Sequence, residues 1–152
     1  MNSPYNVVGV FCDDIREEVN SRHTLIGIYP DNLYVPAVPG MLDRLSLYVR
    51  AHIVPALEVR ELSMALEIPG EGRTVISSFE QDEVRQQLRE AQEQGKPHAG
   101  FIFRASAVPA PLPAAGLFRA IVKINDYEVV ACALKVEVRA TTSASTSSAP
   151  QT

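Results

Sequence analysis

The chain has 152 residues, 46% of them hydrophobic and 21% charged, with a formal net charge of −4. Such a composition belongs to a soluble globular protein, and the length suffices for one domain with its own core. The acidic excess and the scatter of the 14 basic residues argue against nucleic acid and anionic membrane as partners, because both are bound by clustered Lys and Arg.

The opening MNSPYNVVGVFCDDIREE has no basic leader, and its short apolar run ends in acids, so it does not read as a signal peptide. No stretch approaches the ~20 apolar residues of a membrane span, and the expected compartment is the cytoplasm. Residues 5–12 are β-rich, with Val7, Val8, Val10 and Phe11 around Gly9, and residues 23–29 (HTLIGIY) form a second β-prone run. Between them stand Asp13, Asp14, Glu17 and Glu18. A helix there would stack Asp14 on Glu17 and Glu18 with only Arg16 as relief. A hairpin is therefore expected: the first strand runs on to Val19, turns at Asn20-Ser21 and returns from His23.

Leu45, Leu47, Val49, Ala51 and Ile53 alternate with Ser46, Tyr48, Arg50 and His52, and Leu62, Met64, Leu66 and Ile68 with Ser63, Ala65 and Glu67, the period of two that marks half-buried strands. Pro69-Gly70-Glu71-Gly72 breaks the second run, and residues 74–79 resume it. From Asp82 to Gln94 the period changes. Asp82 is positioned to cap a helix that Gly95 and Pro97 stop, and Val84, Leu88 and Ala91 give it one narrow apolar stripe suited to light docking rather than to the core. Strands return at 100–108. Three prolines make 109–116 a stiff turn. Phe118, Ala120, Val122 and Ile124 then face Val130, Cys132, Leu134, Val136 and Val138 across an Asn125-Asp126 turn, a long closing hairpin. Residues 140–152, rich in Ser, Thr and Ala, are expected to be a disordered tail beyond a domain at 1–139. The fold expected is mainly β: an antiparallel β-sandwich, immunoglobulin-like or C2-like, with one peripheral α-helix.

Little in the sequence assembles chemistry. His23, His52 and His98 stand singly without metal-ligand spacing, no GxSxG occurs, and PGEGR lacks the Lys-Ser of a P-loop. Cys12 and Cys132 read as buried thiols that behave as small hydrophobes. No catalytic residue and no cofactor is expected. A cation-dependent C2-like module would need Asp13, Asp14, Asp31 and Asp43 to converge, but strand alternation sends Asp13 and Asp14 opposite ways, so a solvated or Arg-paired turn is the plainer expectation.

Two surfaces point outward. On the closing hairpin, Ile121, Val129, Ala131 and Ala133 make the expected outer face unusually apolar, to be covered by the helix stripe or by a second subunit. In the loop YPDNLYVPAVPG, Tyr29, Leu33 and Tyr34 are large and three prolines stiffen the chain, which suits recognition; the alternative is a short edge strand at 33–35. The partner expected is a protein of unknown identity or another copy of the chain.

CDDIREE, then HTLIGIYPDNLYVP, and at the other end LPAAGLFRAIVKINDYEVVACALKVEV together resemble a family of small bacterial proteins of unknown function. The resemblance spans residues 5–138. It implies a β-sandwich and no known activity, so no catalytic residue carries over. The sequence thus leads to a non-catalytic interaction or structural module, with the cation-binding module as the alternative.

Overall fold

Alternating residues lay the strands down in two sheets, seen in a computed structural model that describes residues 3–140. The expected tail lies, from residue 141 on, outside the described residues. The first sheet has the order β2-β1-β5-β8, formed by β1 (Tyr5–Glu17), β2 (His23–Ile28), β5 (Leu45–Ile53) and β8 (Ala99–Ala107). The second has the order β3-β11-β10-β6-β7, formed by β3 (Asn32–Val35), β6 (Leu62–Ile68), β7 (Gly72–Ser78), β10 (Gly116–Ile124) and β11 (Tyr127–Val138). A small pair, β4 (Gly40–Leu42) with β9 (Ala110–Leu112), sits apart from both. The sheets enclose one apolar core, so the fold is a mainly β sandwich with a single helix.

Register follows from the alternation. On β5 the residues Leu47, Val49 and Ala51 are buried and stand opposite Phe11, Gly9 and Val7 of β1 on one side and Ala105, Phe103 and Phe101 of β8 on the other. In the facing sheet Val122 pairs with Met64 and Ile124 with Leu62, all fully buried. One partnership departs from the antiparallel expectation: β3 is an edge strand parallel to β11.

The helix α1 (Gln81–Glu93) falls where the change of period predicts, with two differences. Glu80 takes the N-cap position without a side-chain hydrogen bond, leaving Asp82 in the first turn. Its stripe is also part of the core, with Val84, Leu88 and Ala91 at 1%, 5% and 5% exposure. α1 follows β7 and packs on β8, so it closes part of the sandwich edge between them and does not cover the closing hairpin. Phe79, just before the helix, sets its ring edge-on against Phe101 and Phe103 at 5.4 and 5.0 Å.

The acidic hairpin forms, but more briefly than expected. β1 ends at Glu17, a 3-10 turn at Val19–Ser21 carries positive φ at Asn20 and Ser21, and Val19 is left exposed. Only residues 5–12 of β1 pair with β5, and Cys12 and residues 14–17 pair with β2. The far part is thus a two-stranded arm, and its end lies over β5 and β8: His23 and Tyr48 rings are 5.4 Å apart and Glu17 meets Arg104 at 3.7 Å.

Candidate functional site

The arm decides the fate of the carboxylates. Asp13 accepts a hydrogen bond from the Tyr29 hydroxyl at 2.8 Å, and Asp14 binds Arg44 at 2.6 Å and accepts from the Ile15 amide at 2.9 Å. Arg44 holds the Asp14 carboxyl below the ordinary carboxylate range. Burial, with the Asp13 hydrogen bond next, pushes the Tyr29 hydroxyl up to about 12. Asp31 contributes its backbone carbonyl to the Lys135 amide. Asp13, Asp14, Asp31 and Asp43 are therefore not gathered into a cation site, and among the described residues no group of three or more His, Cys, Asp or Glu side chains is placed to hold a metal ion. The physical reason is that neighbours distant in sequence engage Asp13 and Asp14 separately.

The expected outer face of the closing hairpin is also rearranged. Ala120 pairs with Cys132 but Ile121 pairs with Val130, so Ala131 is an extra residue and a β-bulge. Beyond it the strand changes sides: Val129 pairs with core residue Val122, and Val130 turns outward, 49% exposed. Val130, Ile121, Ala65 and Val75 form a row across four strands. Ile121 is nevertheless buried. Arg73 on β7 reaches Glu128 on β11 at 2.7 Å across the two strands between them, and also Glu67 at 3.2 Å, which binds Arg119 Nε at 3.0 Å. These ion pairs roof the middle of the row. Arg119, with Arg73 next, holds the Glu67 carboxyl below its usual value.

Of the residues expected on contact surfaces, the fold brings Tyr29, Ala131 and Ala133 together. They line a slot of about 280 Å³ with residues 9–11, where the part of β1 that β2 does not reach passes the part of β11 that β3 does not reach. The Tyr29 amide donates to the Phe11 carbonyl and the Lys135 amide to the Asp31 carbonyl, each at 2.8 Å, so this loop ties the two sheets and closes the slot at one end. Gly9 permits the approach: a Cβ there would lie 2.8 Å from Val49 and 3.2 Å from the Cys132 sulfur. Leu33 packs inward against the core, and Tyr34 is exposed with the Arg139 guanidinium 3.8 Å from its ring centre.

A second crevice, of about 290 Å³, lies outside the surfaces that the sequence points to. It lies between the β7 and β8 edges and is walled by Phe11, Leu45, Leu47, Leu66, Ile76 and Ala105. β7 carries a register shift against Met64 and Ala65 that leaves Ile76 unpaired, and the bulge turns this side chain to the crevice. The lining is carbon throughout except at Ser46 and Ser106, whose hydroxyls bond each other at 2.8 Å, with Ser46 also donating to the Asp13 carbonyl. The signal in the sequence is the run Ala105-Ser106-Ala107, too small to fill the space that Leu45 and Leu47 leave opposite it.

The model of a family of unknown function, DUF6941, matches residues 7–137. The chain belongs to this family. The match takes in both sheets, the helix and both crevices of the DUF6941 chain. No curated protein matches it.

The remaining reactive groups of this DUF6941 chain sit in quiet surroundings. Burial pushes the Cys132 thiol up to about 12 and raises that of Cys12, further raised by Asp13 and Asp14. His52 and His98 rings come within 6.2 Å of each other, and burial, with Arg50 and His98 next, lowers the pKa of His52. Among the described residues no helix is long and apolar enough to cross a membrane.

Proposed function

We propose that this DUF6941 chain is a non-catalytic interaction module, a subunit or adaptor that holds a protein partner. The observation that carries the reading is an apolar crevice at the sandwich edge: α1 closes only part of the edge between β7 and β8, and beyond it exposed Ile76 and half-buried Leu66 stand over the buried Leu45 and Leu47. Unpaired strand edges beside apolar surface are a template for a further strand. The state of the reactive side chains supports the same reading. Asp13, Asp14 and Ser46 are engaged in structural contacts, and both thiols are driven toward the protonated, unreactive form.

The test is purification of the tagged full chain from its own host, followed by expression of each co-eluting protein and titration of the pure components. A complex of fixed stoichiometry that reforms from pure components supports the module. A chain that elutes alone, or whose companions fail to bind it when pure, overturns it.

A further inference from the structure

We propose, resting on that reading, that the crevice takes an extended segment of the partner, which adds a strand to β7, seats one apolar side chain beside Ile76 and Ala105, and sets a basic residue against Glu80, Asp82 and Glu83. β7 is hydrogen-bonded to β6 on one side only, so its other side presents a row of backbone donors and acceptors. That row is complementary to a peptide backbone and to little else. Edge strands are usually blunted by Lys, Pro, inward charge or a bulge; from Thr74 to Ser78 β7 carries no Lys, Pro or charge, and only the bulge at Ile76 interrupts it. Val75 is 63% and Ile76 37% exposed on it. The one irregularity, the bulge at Ile76, turns that side chain to the crevice, so an arriving strand meets a pocket next to its hydrogen-bonding edge.

Charge chooses the kind of segment. Glu80, Asp82 and Glu83 follow β7 directly, are exposed, and form no ion pair among the described residues. At the other end of β7, Arg73 is already held by Glu67 and Glu128. A negative end beside an apolar pocket favours a guest that couples an aliphatic or aromatic residue to Lys or Arg. A second copy fits less well, because β7 paired with itself about Val75 and Ile76 would set Glu71 opposite Glu80.

The experiment pans a display library of random peptides, roughly ten residues long so as to exceed β7 when extended, against the pure full chain. The best enriched peptide is then synthesised and titrated. Enrichment of an apolar residue joined to Lys or Arg is expected. Ala105→Leu, which fills the crevice, should weaken binding about tenfold, and joint Glu80→Lys, Asp82→Lys and Glu83→Lys should weaken it about threefold. Should Ala105→Leu fail to fold, amide exchange on the wild-type complex decides: protection of residues 74–78 by the peptide is expected. No enrichment, enrichment of acidic peptides, equal binding to Ala105→Leu, unchanged exchange at 74–78, or a dimer joined through β7 would each overturn the assignment. A native partner that binds wild type and Ala105→Leu alike would leave the interaction module standing and remove this mode of binding.

Discussion

Tyr29 donates its hydroxyl to Asp13 at 2.8 Å, and the same carboxylate lies against Gly27, where a Cβ would collide with Asp13 Oδ2. One acid of the N-terminal cluster therefore fixes both the return strand of the arm and the loop that ties the two sheets. Its role is structural, and it can be tested from either side.

Removing the hydroxyl should show in the alkaline limb of stability. The Tyr29 pKa is raised from 10.0 to about 12 in the folded chain. Between these values the unfolded chain has lost a proton that the folded chain keeps, so stability falls as pH rises through that window and is fully present below it. Tyr29→Phe should cost about 1 kcal/mol at neutral pH for the lost hydrogen bond. It should also flatten the decline between pH 10 and 12 relative to wild type. Urea melts of both proteins across that range provide the measurement; parallel curves would refute the assignment.

Gly27→Ala should destabilise for two separable reasons. Its φ of +66° lies in the left-handed region, which costs a residue with a Cβ about 1–2 kcal/mol. The added methyl must also displace Asp13, which cannot move without releasing Tyr29. Adding Asp13→Ala to Gly27→Ala should recover the second part only. Strict additivity in that double-mutant cycle would mean that the two residues do not meet.

At the closing turn, Asn125 has φ 56° and its side chain accepts from the Arg60 and Glu61 amides at 2.7 and 3.3 Å and donates to the Glu58 carbonyl at 2.9 Å. It clamps the segment before β6 onto the hairpin. Asn125→Ala loses both the clamp and the tolerance of positive φ, for about 2 kcal/mol, whereas Asn125→Gly loses only the clamp, for about 1 kcal/mol. Equal midpoints and slopes for the two variants in urea would show that the backbone conformation carries no cost.

The bulge at Ala131 predicts a contrast between paired residues. Ile121 is 3% exposed beneath the Arg73–Glu128 bridge, and its partner Val130 is 49% exposed. Ile121→Lys should cost about 3 kcal/mol or more, since it buries an unpaired cation and empties a packed position. Val130→Lys should stay within about 0.5 kcal/mol of wild type. Thermal melts that rank the two the other way would place Val130 in the core.

Most of the strands were legible because alternation is local. The run from Leu45 to Ile53 states its own buried face, as does Leu62 to Ile68, whatever the rest of the chain does. The same holds for the closing turn, where Asn125 is one of the few residues at ease with positive φ. The helix is legible, but the depth of its stripe is not, because Val84, Leu88 and Ala91 gain their burial only where α1 packs on β8 and joins the core.

The contact surfaces were read less well, and for a common reason. One inserted residue, Ala131, exchanges the sides of Val129 and Val130, and nothing near it in sequence announces the insertion. Ile121 looks exposed from its own strand and is buried by charges carried on β6, β7 and β11. Asp13 and Asp14 look like ligands until Tyr29 and Arg44 arrive from later in the chain. By itself the sequence determined the strands, the helix and the faces they bury, because period and turn chemistry act between neighbours. Only the tertiary structure decided which carboxylates are engaged, which apolar residues are roofed and where the sandwich edge keeps a crevice, because each depends on side chains brought together across strands far apart in sequence.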